Sequence, residues 1–224
     1  MIFKNREEAG RQLVTALLQY RDDPRGLILA LPRGGVAVGY QLSLALHVPL
    51  DVFITRKIGA PGNVEYAIGA VAETGSRYLN QEAVSSFGLS QHELDWLIHV
   101  QEKEIVRRKN LYRQGRLLPQ LTGHTVLLVD DGIATGSTFL ASALAIRSLQ
   151  PHRLVGAIPV GPPSTIREIR SHLDELAILM TPDPFEAVGN FFMDFAQVED
   201  RGVVEYLNLA EEAMLDHRPS SPDS

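Results

Sequence analysis

Two adjacent carboxylates, Asp130 and Asp131, follow the apolar run Val126-Leu127-Leu128-Val129 and precede Gly132-Ile133-Ala134-Thr135-Gly136-Ser137-Thr138. Four apolar residues are too few for a helix and predict a buried strand. Residues 139–149 are helical in composition, so the segment reads as strand, small-residue turn and helix start. Backbone N–H groups at a helix start lack intrahelical partners, and the helix dipole there favours an anion. Three hydroxyls add donors, and the glycines let the backbone approach a ligand closely. Carboxylates repel phosphate but suit a sugar diol or a divalent metal. An anion cradle beside two such acids describes a site for a sugar phosphate. One aspartate alone reads equally well as a helix cap.

A similar unit lies earlier in the chain. The run 27–31 predicts a central strand, Pro32-Arg33-Gly34-Gly35 a turn, and 36–47 a helix. Arg33 puts a cation above the turn, although an exposed arginine on a tight turn needs no ligand. Residues 51–55 predict another strand, with Arg56 and Lys57 at its end, 58–65 a loop, and 67–72 a return strand. Arg56 and Lys57 either face a ligand at that edge or are solvated. Glu65 and Tyr66 have no definite role.

These segments need a scaffold. Asn5 and Glu8 predict a capping box opening a helix over 5–20, and Ser90 with Glu93 another opening a long helix to about residue 115. The charges at 104–109 read as a solvated face, and the opposite apolar face suits dimer packing. Residues 153–160 and 176–181 predict strands, with a helix capped by Ser164 between them. A closing helix is expected over 203–215. This alternation implies an α/β fold built on a doubly wound, mainly parallel sheet, whose ligands bind at the C-terminal strand edge. The loops after Leu31, Thr55, Val129 and Val160 all fall on that edge. Near the end, Phe185, Phe191, Phe192 and Phe195 form an aromatic cluster that either stacks on a planar ring or packs internally.

The 224 residues are 45% hydrophobic, lack cysteine and carry a formal net charge of −6. The length suits one domain with a modest appendage. Disulfides and thiolate metal sites are excluded, and the charge balance argues against nucleic acid as a partner. No apolar run approaches the roughly 20 residues that span a bilayer. The first residues do not read as a signal peptide, so a cytoplasmic location is expected.

All thirteen positions of 126–138 resemble the phosphoribosyl pyrophosphate (PRPP) motif of type I phosphoribosyltransferases. The resemblance extends over about 27–181 and is nearest to a bacterial branch with poorly defined substrates. It implies a single domain over 1–215, with a core at 27–181, a small hood drawn partly from 182–215 and with 77–115 as a further source, and a disordered tail at 216–224. It implies Asp130 and Asp131 on the ribose hydroxyls and 133–138 (Ile133, Ala134, Thr135, Gly136, Ser137, Thr138) around the 5-phosphate. Pyrophosphate would lie against Arg33, Gly34, Gly35, Arg56 and Lys57, with a cis peptide at Pro32–Arg33 and a mobile hairpin closing over the substrate. Arg33, Lys57, Asp130 and Asp131 would carry catalysis, with Mg²⁺ held mainly by PRPP beside the acids. Phe185 or Phe191 would hold the base. Ala134 stands where hypoxanthine–guanine enzymes carry an aspartate, which disfavours 6-oxopurines. The expected activity is transfer of the phosphoribosyl group to a nitrogenous base, within nucleotide metabolism, by a homodimer. A PRPP-sensing regulator on the same fold and an unrelated sugar-phosphate enzyme remain as alternatives.

Overall fold

The computed structural model describes residues 2–217, apart from the side chains of Val64 and Glu65; the expected disorder of 218–224 lies outside the described residues. Five parallel strands form the main sheet in the order β2-β1-β6-β7-β8. They are β1 (Gly26–Ala30), β2 (Leu50–Val52), β6 (Thr125–Val129), β7 (Arg153–Val160) and β8 (Glu175–Met180). Their apolar runs are continuous because both faces are covered. Ile28, Ala30, Leu127, Val129, Val155 and Ala157 face one core with α1 (Arg6–Val14), α2 (Gly34–Leu46) and α7 (Asp200–Asp216). Leu27, Leu29, Val126, Leu128, Leu154 and Ile158 face the other with α5 (Ser137–Ser148) and α6 (Pro163–Arg170). Strand order reverses between β1 and β6, so the two glycine-bearing loops leave the sheet side by side at its switch point, where open α/β sheets bind ligands.

The predicted strand 51–55 divides. β2 joins the parallel sheet, whereas β3 (Thr55–Ala60) pairs antiparallel with β4 (Asn63–Ala72), which pairs with β5 (Arg77–Leu79). The expected loop 58–65 is therefore mostly strand, turning at Pro61 and Gly62, where Gly62 has φ 76°. Of the four loops expected on that edge, those after β1, β6 and β7 leave the parallel sheet there, whereas Thr55, Arg56 and Lys57 lie inside a strand of the second sheet.

Several ends also move. Helix α1 stops at Val14 and continues as a 3-10 turn over Thr15–Tyr20. Asn5 caps α1 by accepting the Glu8 N–H at 2.9 Å, but Glu8 reaches back to the N–H of Lys4, so the box is incomplete. Helix α2 begins at Gly34, which places Gly34 and Gly35 in its first turn. Helix α6 starts at Pro163 without a side-chain cap, so Ser164 does not cap it. Helix α7 spans Asp200–Asp216, so residue 216 is helical.

Asn80 caps the short α3 (Gln81–Ser86), and the full Ser90–Glu93 box opens α4 (Gln91–Arg113). The far end of α4 is clamped. Arg113, 1% exposed, donates to Glu73 at 3.0 Å, to Asp51 at 3.1 Å and to the Val52 carbonyl. Burial raises the Asp51 carboxyl above its usual range despite the opposing pull of Arg113. This ion cluster pins α4 where the two sheets diverge.

Candidate functional site

The first loop is held by Leu31, whose N–H donates to Val129 at 2.8 Å, and by Gly35, whose N–H donates to Leu31 at 3.1 Å. The Pro32–Arg33 peptide is cis, as the resemblance implies. The second loop leaves β6 with the Asp130 N–H on Ala157 at 3.3 Å. The two loops touch. A Cβ on Gly34 would sit 1.9 Å from Asp131 Oδ2, and one on Gly35 would sit 2.8 Å from the Val129 carbonyl and 3.0 Å from Asp130 Cα. Glycine is required here because α2 starts against the acid pair.

Asp130 Oδ1 accepts the Asp131 N–H at 2.9 Å. Burial, and then the charge of Asp131, push the Asp130 carboxyl well above the ordinary carboxylate range. Between the unfolded value, about 3.9, and that raised value, the folded protein holds the extra proton, so stability falls as pH rises through this window. Asp130→Asn removes the slope. Its thermal midpoint, relative to the parent, should climb as pH rises above about 4; a difference that stays constant with pH would contradict this assignment.

Asp131 is engaged by a residue that spacing does not reveal. Arg6, the first residue of α1, donates Nε to Asp131 Oδ2 at 2.5 Å and Nη1 to the Ala196 carbonyl at 2.8 Å. Its guanidinium lies 3.8 Å from the Phe195 ring centroid, a cation–π arrangement. No motif flags Arg6, because its partners lie far along the chain.

Beyond the acids, Gly132 sits beneath the 3-10 turn Val188–Phe191: a Cβ there would lie 2.4 Å from Val188 Cγ1. Ile133 separates from the rest of the predicted anion loop. Its side chain is buried and its N–H donates to Val160 at 2.9 Å, so it anchors the loop from within. Ala134 and Thr135 are exposed. The Ala134 carbonyl accepts Thr165 Oγ1 at 2.8 Å, and Thr135 Oγ1 lies 3.3 Å from Ser137 Oγ. Gly136, φ 72°, occupies the N-cap of α5 with no side-chain cap bond. The start of α5 therefore has no side-chain cap for its first-turn amides, and Ser137 and Thr138 beside them are half-buried.

Arg33 and Arg56 converge elsewhere. Arg33 Nη1 lies 3.9 Å from Asp200 Oδ1 at the start of α7. Asp200 also accepts Tyr112 Oη at 2.6 Å and Arg107 Nη2 at 2.8 Å. Its carboxyl lies below the usual range: burial opposes this, and the bonds from Tyr112 and Arg107 outweigh it. Arg56 donates to Gln101 of α4 at 3.2 Å; burial lowers its pKa, and the charges of Arg108 and Arg33 lower it further. Glu104 accepts both Arg107 and Arg108 and is held at about 2, chiefly by Arg107. Arg33, Arg56, Arg107 and Arg108 thus gather around Glu104 and Asp200, leaving positive charge in excess. Residues 104–109 are consequently more than a solvated face: Arg108 is 8% exposed because α4 lies against the hairpin and α7. Lys57 takes the opposite face of β3 by strand alternation. It shares that face with Thr55, whose Oγ1 accepts Ser142 Oγ of α5 at 2.8 Å.

The rings of the aromatic cluster pack on one another, with Phe192 buried and Phe185, Phe191 and Phe195 half-buried. The rings of Phe185 and Phe191 stack on each other with centroids 5.3 Å apart, and Phe192 packs on Phe3 at 5.3 Å. The Phe3 N–H donates to the Phe191 carbonyl at 2.9 Å, tying residues 191–193 to the start of the chain.

Residues 3–188 match the family model described as phosphoribosyl transferase domain. The chain belongs to that family. This phosphoribosyl transferase domain is 36% identical to the Thermus thermophilus protein TT1426, whose crystal structure superposes with a TM-score of 0.77 over 92% of this chain and 98% of that one. It is 38% identical over 209 residues, 93% of its length, to a Mycobacterium tuberculosis H37Rv protein named "Putative phosphoribosyl transferase Rv0571c". The chain spans about half the length of the curated relatives it matches, 47%. The fold is that of the type I phosphoribosyltransferases. Among the described residues, no helix is long and apolar enough to cross a membrane.

Proposed function

We propose that this domain transfers the 5-phosphoribosyl group of PRPP to a nitrogenous base other than a 6-oxopurine, releasing pyrophosphate. The observation that carries the reading is the contact between the Pro32–Gly35 turn and the Asp130–Asp131 pair, beside the uncapped start of α5. In this reading the amides and hydroxyls of 134–138 take the 5-phosphate, and Asp130 and Asp131 accept from the ribose hydroxyls. Pyrophosphate meets the first turn of α2 and Arg33 and Arg56, with Lys57 approaching from the α5 side. A bond forms from the acceptor nitrogen to C1′ while the C1′–O bond breaks. The electron pair leaves with pyrophosphate, and the acceptor proton passes to solvent. Paired carboxylates offer hard oxygen donors suited to Mg²⁺, which would screen the pyrophosphate charge when bound. Catalysis then rests on orientation and on cations placed where negative charge develops, without a named general base.

The segment 182–195, lying over Gly132, serves as the hood. It would seat the base near Phe185, Phe191 and Val188, and Ala134 offers no carboxylate to a purine ring. A homodimer belongs to the same reading, supported by exposed Trp96, Val106 and Leu111 on α4. The second reading, a PRPP-binding regulator without turnover, draws on the Arg6–Asp131 pair, which already occupies one carboxylate oxygen. Incubation with PRPP, Mg²⁺ and a panel of bases separates them. Base-dependent pyrophosphate release is expected; tight PRPP binding with no release from any base would favour the regulator.

A further inference from the structure

Helices α2 and α7 run side by side in the same direction. They start together where Arg33, the N-cap residue of α2, lies 3.9 Å from Asp200. They touch midway through Tyr40 and Tyr206, with ring centroids 5.3 Å apart. They end together at His47 and His217, their C-cap residues, whose rings lie 3.6 Å apart. Two parallel helices bring two negative dipole ends to one place, where a cation is favoured. A carboxylate joins them from a third segment: Asp22 Oδ1 lies 2.8 Å from His47 Nδ1 and 3.6 Å from His217 Nε2. The three ligand atoms lie within 4.8 Å of one another, and among the described residues no other trio of His, Asp or Glu comes so close.

We propose that Asp22, His47 and His217 form a binding site for a divalent transition metal of the zinc type, at the pole opposite the acid pair. Two imidazoles and one carboxylate are a borderline-soft donor set that suits Zn²⁺, Co²⁺ or Ni²⁺ rather than Mg²⁺. Metal bonds of about 2.0–2.1 Å in a tetrahedron place ligands about 3.3 Å apart. The two measured separations from Asp22 bracket that edge. Closure requires the two rings, tilted 32° to each other, to part. His217 and Asp22 are 54% and 59% exposed at their side chains, so an ion can enter and water can complete the fourth position. Bound metal would staple the C-terminal end of α7 to that of α2, while the other end of α7 presents Asp200 to Arg33 and Tyr112. This role is independent of phosphoribosyl transfer.

The test uses the full chain, stripped with chelator and titrated with Zn²⁺ by calorimetry, alongside Mg²⁺ and the variants His47→Gln, His217→Gln and Asp22→Asn. Expected are one Zn²⁺ per chain, a higher thermal midpoint with Zn²⁺ but not Mg²⁺, and binding weakened roughly tenfold or more in each variant. His99→Gln, on α4 and outside the cluster, should bind as the parent does. Co²⁺ should give the visible absorption of a four-coordinate site, lost in His47→Gln. Absence of Zn²⁺ binding, or binding unchanged in both His47→Gln and His217→Gln, would overturn the proposal.

Discussion

Asparagine at both Asp130 and Asp131 will weaken PRPP binding by about thirtyfold or more. The Asp131 carboxylate is assigned a charge-assisted hydrogen bond to the ribose diol, worth about 1.5–3 kcal/mol, and Asp130 an ordinary one, worth about 0.5–1.5 kcal/mol, so losing both removes about 2–4.5 kcal/mol. Asparagine preserves shape and can still accept the Asp131 backbone N–H, so the fold should persist. Two opposing effects act on stability: Asp130 no longer has a costly buried charge, and Arg6 loses its ionic partner. Circular dichroism should match the parent, while calorimetry with PRPP and Mg²⁺ should show the loss. A folded double variant that binds PRPP as tightly as the parent would remove the acids from the account.

The largest stability effect is expected at Arg113. Arg113→Met deletes the cation that serves Glu73 and Asp51 and leaves both acids in place, Glu73 with a side chain only 1% exposed. Breaking a buried pair by removing one partner costs about 3–5 kcal/mol, because the remaining charge stays uncompensated. Adding Glu73→Gln and Asp51→Asn should return much of that loss, since no unpaired charge then remains. Urea unfolding of the single and triple variants measures both; a single-variant loss below about 1 kcal/mol would contradict the cluster's assigned weight. The end of α4 also sets Arg107 and Tyr112 against Asp200, so the single variant should lower activity more than the triple.

Legibility in the chain followed how local each feature was. Residues 126–138 could be read because a strand buried on both faces is a continuous apolar run, and because two acids and a glycine–hydroxyl loop are contiguous. Gly34 and Gly35 marked a tight turn, but the start of α2 at Gly34 and what the two glycines must avoid, namely Asp131 Oδ2 and the Val129 carbonyl, emerge only in the structure. The division of 51–55 between two sheets was hidden: both strands take the same residue types, and no glycine or proline marks the step between Val52 and Thr55. Arg6 on Asp131 and Asp200 beside Arg33 and Tyr112 join distant segments, so no periodicity encodes them. The charged stretch of α4 misled because exposure depends on what packs alongside; Arg108 is covered by the hairpin and α7, which local pattern cannot report. Phe185 and Phe191 have the composition of a ring-binding pair, but their stacking on each other emerges only in three dimensions.

The most direct test of the central claim is a crystal structure of the protein with PRPP and Mg²⁺. Ribose hydroxyl oxygens are expected at hydrogen-bonding distance, about 2.6–3.0 Å, from Asp130 and Asp131, with the 5-phosphate on the amides of 134–138. PRPP bound elsewhere, or an α5 N-terminus left without phosphate at saturating ligand, would contradict it.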